Sequence, residues 1–483
     1  MKLTRYFFIY VIFIGNFGFG QTSLVQKRDA FTSFSGFSNG SISLMAMDVA
    51  TGATVIEYNS QTALPTASTM KLFSTASAIE LLGTNYKAKT SIYYEGVISA
   101  DSILNGNIWV IGGGDMTLGS MYFNEEGKQS EFLVQWTKAI QQAGIKTISG
   151  SIIADASQFG YEGAPDGWNW SDMGNYYGAG FNGLTIYDNM LKYHFKTGAA
   201  GKTALLTHTF PTIENFTFHN YIVSANVKGD NSYIYGAPYS LDRFGTGKLP
   251  ANSSDFLVKG SLPDPEYQVA YELYQSLSEN GIVVKGSAMA KRHHDELATS
   301  TNLHLINVFE GKSVLEIATI TNHKSINLFA EGLLCSVGYN KTGNGSSDAS
   351  CNYIESYWTS KLAVTGLHIN DGSGLSRTNA VSASHFCLLL KNMYTSKNYA
   401  AFLSTLPIAG ESGTLKNVCR NQSAHGRLKA KSGTMNRIKS YAGYIETKSG
   451  KTLAVAIIVN NYTCSTSTVV DEMEKVFNAL AEY

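Results

Sequence analysis

Ser43-Leu44-Met45-Ala46-Met47-Asp48-Val49 alternates along its length, and Thr54-Val55-Ile56-Glu57-Tyr58 follows after the turn Thr51-Gly52. Two β-prone runs joined by a glycine turn read as an antiparallel hairpin. Pro65-Thr66-Ala67-Ser68 then leads into a helical stretch, Thr69 to Leu82, that stops at Gly83. This puts Ser68 at or near a helix N-cap. The far end of the chain mirrors this arrangement. Lys439 to Ile445 and Leu453 to Asn460 are strand-like, joined by Thr447-Lys448-Ser449-Gly450-Lys451. A tail from Ser467 to Leu480 carries Val470, Met473, Val476, Phe477 and Leu480 on one helical face. A hairpin beside a helix at each end predicts one domain built from both termini. Its class is α/β (α+β), with a central antiparallel sheet flanked by helices.

The middle of the chain has another texture. From about residue 86 to 298 it is rich in Gly, Tyr, Asn and β-branched residues, with short runs such as Ile108-Trp109-Val110-Ile111 and Ile152-Ile153-Ala154. Helices are expected only near Glu131 to Ala143 and Tyr267 to Asn280. We expect a β-rich insertion of two nested domains, 86–190 with 265–298, and 191–264. The terminal domain then comprises 21–85 and 299–483. A chain of 483 residues with 44% hydrophobic content exceeds what one core usually organises, which fits this division.

Met1-Lys2-Leu3-Thr4-Arg5 and the apolar run from Tyr6 to Phe19 read as a signal peptide over residues 1–20, cleaved near Gly20-Gln21. The run is short for a membrane span of about 20 residues, and no later segment replaces it. The mature chain is therefore expected to be exported and to lack a transmembrane segment. Net charge is zero, with no basic cluster, so nothing favours nucleic acid. Cys335, Cys351, Cys387, Cys419 and Cys464 lack metal-ligand spacing, and their pairing is not readable. His293-His294, beside Arg292 and Asp295, reads as a surface loop. No metal and no cofactor is expected.

Three short motifs carry chemistry. Ser68-Thr69-Met70-Lys71 is the chain's one Ser-x-x-Lys, and on a helix its two polar ends lie one turn apart on one face. A lysine there takes the serine proton if it is held neutral. Ser325-Ile326-Asn327 follows, then Lys431-Ser432-Gly433-Thr434. Singly, these are what a helix cap, a second cap and a surface turn would also show. In this order they form the signature set of penicillin-binding proteins and related β-lactamases.

With that set, the chain resembles the class C low-molecular-mass penicillin-binding proteins, the D-alanyl-D-alanine carboxypeptidase/endopeptidase family. Pro65 to Leu72 looks like its nucleophile run, and Gly112-Gly113-Gly114-Asp115-Met116-Thr117-Leu118 like its glycine-rich segment. Ile153 to Phe159 and Tyr177-Gly178-Ala179 resemble motifs of its inserts. Ser325 to Glu331, Asp371-Gly372-Ser373-Gly374-Leu375-Ser376-Arg377, and Leu406 to Gly410 running on to Leu415 are similar to its catalytic half. The 257 positions between Ser68 and Ser325 leave room for inserted domains, and the 106 between Ser325 and Lys431 fit an uninterrupted catalytic half. The chain departs in having Ser432 where Thr is commoner, Ile326 where Asp is common, and Thr66 before Ala67-Ser68; none of these removes a reactive group.

The resemblance implies a β-lactamase/transpeptidase-like fold and a serine DD-peptidase acting through an acyl-enzyme. Ser68 is the expected nucleophile and Lys71 its base, depressed by burial and by Lys431. Ser325 relays a proton, and Asn327 orients Lys71. Lys431, Ser432 and Thr434 bind the terminal carboxylate, with Gly433 between them, and the N–H groups of Ser68 and Thr434 form the oxyanion hole. Asp155 and Phe159 are expected to border a side-chain pocket, and Arg377 to contact a carboxylate or brace the site. The implied partners are peptidoglycan stem peptides, with β-lactam antibiotics as covalent inhibitors, in the periplasm or at the cell wall. A β-lactamase and a non-catalytic peptidoglycan-binding protein of the same fold are the alternatives.

Overall fold

The computed structural model describes residues 17–293 and 302–483. The expected leader lies outside it up to residue 16, as does His294 of the histidine pair. A helix, Phe17–Thr32, runs across the expected cleavage point at Gly20-Gln21. Among the described residues no helix is long and apolar enough to cross a membrane.

Both termini enter one five-stranded antiparallel sheet. Its order is Thr54–Tyr58, Ser41–Asp48, Thr452–Asn460, Ile438–Glu446, Leu428–Met435. The middle strands are buried on both faces, and their period of two divides them between two cores. Ile42, Leu44, Val455, Ile457 and Val459 face the first core, with Phe17–Thr32 and Thr466–Glu482. Met45, Met47, Ala442, Ala454, Ala456 and Ile458 face the second. The alanines on that side let helix Ala383–Thr395 lie close against the sheet, with Lys71–Leu81, Asn327–Thr342 and Ser347–Leu362 beyond it.

The middle of the chain builds further sheets of its own. A second five-stranded sheet runs Ala288–Ala290, Ile152–Asp155, Ile108–Gly112, Lys87–Glu95, Leu303–Ser313, under the helices Glu131–Gln142 and Pro265–Glu279. Two three-stranded sheets between residues 190 and 261 enclose a small core around Tyr193, Phe195, Ile222 and Ile234. Leu303–Ser313 pairs antiparallel with Lys87–Glu95. The inserted sheet therefore extends to Ser313, past the limit at 298 that composition suggested. That strand hardly alternates in burial, so periodicity alone does not reveal it.

Candidate active site

Ser68 does not cap the helix. It lies in a 3₁₀ turn, Ala67–Met70, that runs into Lys71–Leu81, and no side chain caps either element. Ala67 has φ +49°, a left-handed conformation that costs a non-glycine residue roughly 1–3 kcal/mol. The surroundings hold that turn in place. A methyl group on Gly374 would come within 1.9 Å of the Ala67 carbonyl oxygen. One on Gly433 would stand 2.9 Å from the Ser68 nitrogen and 2.6 Å from the Thr66 carbonyl oxygen. Ser440 Oγ donates to that same carbonyl at 2.5 Å. Glycine at 433 thus lets the edge strand Leu428–Met435 lie against the serine backbone, which brings the Ser68 N–H beside the strand carrying Thr434.

Lys71 is completely buried. Its Nζ lies 2.9 Å from Ser68 Oγ, 2.6 Å from Asn327 Oδ1 and 2.7 Å from the Ser373 carbonyl oxygen. An ammonium donates to all three; a free amine instead accepts the Ser68 hydroxyl proton. Burial brings the Lys71 amine down to about 7, against the raising fields of Asp371 and Glu331. Burial is thus the largest cause, two carboxylates oppose it, and the repulsion between Lys71 and Lys431 falls on Lys431. Asn327 begins its helix and donates from Nδ2 to the Tyr177 carbonyl at 2.7 Å, which aims Oδ1 at Lys71.

Glu331 and Asp371 appear in the quoted motifs without an assigned role, and both are buried. Glu331 accepts from the backbone N–H groups of Gly372 and Ser373, each at 2.8 Å. Asp371 accepts from Gly374 N and Asn379 Nδ2 at 2.7 Å, Ser376 N at 2.7 Å and Trp168 Nε1 at 2.9 Å. Together they fix the loop that presents the Ser373 carbonyl to Lys71. Burial and the charge of Asp371 push Glu331 upward.

Across the cleft, Ser325 closes the helix Val314–Lys324 in a left-handed conformation, φ +60°. Lys431, fully buried, donates to Ser325 Oγ at 2.9 Å and to the Ser432 carbonyl at 2.6 Å. Burial, then Lys71 and Lys439, drive its amine well below the usual lysine range. Ser432 Oγ donates to Thr414 Oγ1 at 2.8 Å. Lys439 is a further site residue that the motifs missed. It pairs with Thr434 across the adjoining strands and donates to its Oγ1 at 2.8 Å, while its ammonium lies over the Tyr441 ring. Burial lowers Lys439 to about 8.

Ser68, Ser325, Asn327, Arg377 and Thr434 line one cleft of about 530 Å³, with Asp172, Tyr176, Tyr177, Tyr233 and Asn436. Arg377 is exposed there. Asp155 and Phe159 are not in that wall, contrary to expectation. Asp155 pairs with Lys291 at 2.9 Å and accepts from Ser157 N. Phe159 is buried between Phe181 and Tyr339, with ring centroids 5.5 and 5.0 Å away. Asp155 fastens the insert to itself, and Phe159 packs the insert against the helix Asn327–Thr342. All five cysteines are free thiols, four of them buried.

A family model described as "D-Ala-D-Ala carboxypeptidase 3 (S13) family" matches residues 31–482. The D-alanyl-D-alanine carboxypeptidase of Actinomadura sp. (strain R39) is 28% identical, over 96% of this chain and 85% of the relative. The crystal structure of penicillin binding protein 4 (dacB) from Haemophilus influenzae superposes with a TM-score of 0.79 at 20% identity, covering 96% of this chain and 99% of that one. A structure of the same Haemophilus protein with a β-lactam aligns with a TM-score of 0.74 at 18% identity, over 96% and 99%. The two-core sheet described above is the fold these structures share.

Proposed function

The chain belongs to the D-Ala-D-Ala carboxypeptidase 3 (S13) family, and from that premise we propose how its cleft works. The protein is a serine DD-peptidase, a hydrolase of D-Ala-D-Ala peptides. The observation that carries our assignment of roles is Lys71 Nζ, sealed from water and placed between Ser68 Oγ, Asn327 Oδ1 and the Ser373 carbonyl.

With its amine brought down to about 7, Lys71 is available as the free amine near neutral pH. It takes the Ser68 proton as Oγ attacks the carbonyl of the penultimate D-Ala. The oxyanion receives the N–H groups of Ser68 and Thr434, a contribution of roughly 10²–10³ in rate per donor. Collapse breaks the C–N bond, and the proton that Lys71 took passes through Ser325, which Lys431 holds by hydrogen bond, to the departing amine. A water molecule then attacks the seryl ester, releasing the shortened peptide and restoring Ser68. The substrate's terminal carboxylate sits against Lys431, Ser432 and Thr434.

A β-lactam enters the same sequence, but its amine stays tethered after the ring opens. The two carboxylates whose charge reaches Lys71 are engaged by backbone N–H groups, so neither is free to activate a deacylating water. This supports a slowly hydrolysed penicillin adduct over β-lactamase turnover. Work in the periplasm after export also belongs to the proposal, supported by the basic start and the apolar run from Tyr6 to Phe19.

Mass spectrometry after benzylpenicillin treatment should find one adduct, on Ser68, and none on folded Ser68→Ala. An adduct elsewhere, or none on the folded parent, sinks the assignment. Digestion of purified peptidoglycan separates the two leaving groups: free D-Ala marks carboxypeptidase action, and loss of cross-linked dimers marks endopeptidase action.

A further inference from the structure

Beside the cleft, one face of the sheet Thr217–Ala225, Asp242–Pro250, Asn231–Tyr235 is paved with rings. Register sets Tyr221 and Tyr233 on either side of Thr246, and His219 and Tyr235 on either side of Phe244. Tyr221, Tyr233 and Phe244 are 64%, 49% and 39% exposed. The alternate residues Ile222 and Ile234 are fully buried in the core behind. Stacking joins the rings: His219 lies on Phe244 at 4.6 Å and 13°, and Trp170 on Tyr235 at 6.4 Å and 28°. Trp170 is itself 53% exposed.

A contiguous exposed aromatic surface marks a binding site more often than chance exposure does. The chemistry of this one is specific. The aliphatic side chains point inward, and the outward rings carry polar edges: tyrosine hydroxyls, an indole N–H, and an imidazole 3.3 Å from Asp242. A flat apolar face with a hydrogen-bonding rim complements a pyranose ring, which presents C–H bonds on its face and hydroxyl or acetamido groups at its edge. The face is also continuous with the cleft, because Tyr233 belongs to both. A peptide held at Ser68 by its D-Ala end is attached to a glycan strand at its other end. Extended chain covers roughly 3.3–3.6 Å per residue, so a short stem places that strand beside the cleft.

We propose that this aromatic face binds the glycan strand of peptidoglycan, stacking N-acetylated sugar rings on Tyr221, Phe244 and their neighbours while the stem peptide enters the cleft. The proposal rests on the peptidase reading. Its test uses the full chain carrying Tyr221→Ala with Phe244→Ala, compared with the parent, on three probes: peptide-free glycan strands, intact peptidoglycan and a soluble D-Ala-D-Ala peptide. The parent should bind the strands. The double variant should bind them about tenfold more weakly and show a matching rise in KM on intact peptidoglycan. Its rate on the soluble peptide should equal the parent's at temperatures where both are folded, with the thermal midpoint lowered by no more than a few degrees. Tyr221→Trp should retain binding.

A parent that does not bind peptide-free strands overturns the proposal, as does a double variant that handles intact peptidoglycan normally. Unchanged strand binding with an altered sedimentation coefficient assigns the face to self-association and also overturns it. Loss of soluble-peptide cleavage by the parent would instead count against the peptidase reading and leave strand binding to be judged separately.

Discussion

Lys71 and Lys431 face each other across the cleft, both fully buried, and their surroundings differ in sign. Lys71 lies in the field of two carboxylates, Asp371 and Glu331, which oppose burial and leave the amine at about 7. Lys431 lies in the field of two other lysines, which act with burial and hold it well below the usual lysine range. One side of the cleft is electrostatically complete before substrate arrives. The other is short of negative charge, and the terminal carboxylate of a peptide supplies it. Burial is shared, so it is the neighbouring charge that divides the roles: a base on one side, an anion receptor on the other.

The most severe way to break this comparison is to remove the complete side. Lys71→Met should lower kcat/KM by about 10²–10⁴-fold, the usual worth of a positioned general base, and slow penicillin acylation to match. In the parent, kcat/KM should fall as pH drops through about 7, because the rising fraction of protonated Lys71 cannot take the Ser68 proton. A profile flat from pH 6 to 8 would remove Lys71 from the role. On the receptor side, Lys439→Met should raise KM for a peptide with a free carboxylate by about tenfold, near 1.4 kcal/mol, with a smaller change in kcat. Lys439 donates to Thr434 Oγ1, which frees the threonine O–H to point at the carboxylate. The parent should lose affinity as pH rises through about 8 and Lys439 deprotonates. Lys439→Arg should keep the affinity and abolish that loss. A peptide amide should be indifferent to all three versions.

Glu331→Gln sharpens the comparison more gently. Burial and Asp371 raise Glu331 to about 8, so only part of its charge is present near pH 7; removing that part disfavours the Lys71 ammonium, and the acidic limb of kcat/KM should move slightly to lower pH. The amide also turns an NH₂ toward backbone N–H groups of Gly372 and Ser373 that now donate to the carboxylate. One lost acceptor there should destabilise the fold by roughly 1–3 kcal/mol, read as a lower urea midpoint. A limb that moves upward would reverse the sign assigned to this carboxylate.

The terminal hairpins and the helices after Ser68 and after Ser325 were readable because each is written in local periodicity and turn residues. Ser68, Lys71, Ser325, Asn327 and Lys431 stood out because their motifs are short and ordered. What escaped depends on pairing. Lys439 matters because it sits opposite Thr434, and a strand read alone does not name its partner. Glu331 and Asp371 lie inside quoted motifs, but their work is done on backbone N–H groups of one loop brought together by the fold. Leu303–Ser313 joined the insert for the same reason: its burial does not alternate, and its place follows from Lys87–Glu95.

Asp155 tests the opposite failure, in which a motif suggested the cleft and packing placed the residue elsewhere. Its carboxylate is 4% exposed and paired with a mostly buried Lys291, so charge at this position serves the insert. Asp155→Asn keeps the shape and can still accept from Ser157 N, so the change isolates the ion pair. We expect a loss of roughly 1–3 kcal/mol in stability, with kcat and KM on a soluble D-Ala-D-Ala peptide unchanged at temperatures where the variant stays folded. A rise in KM without a fall in stability would return Asp155 to the substrate pocket. The contrast with Lys439→Met is the informative part. Both variants remove one member of a charged hydrogen bond, yet only the one whose partner lines the cleft should change what the enzyme binds.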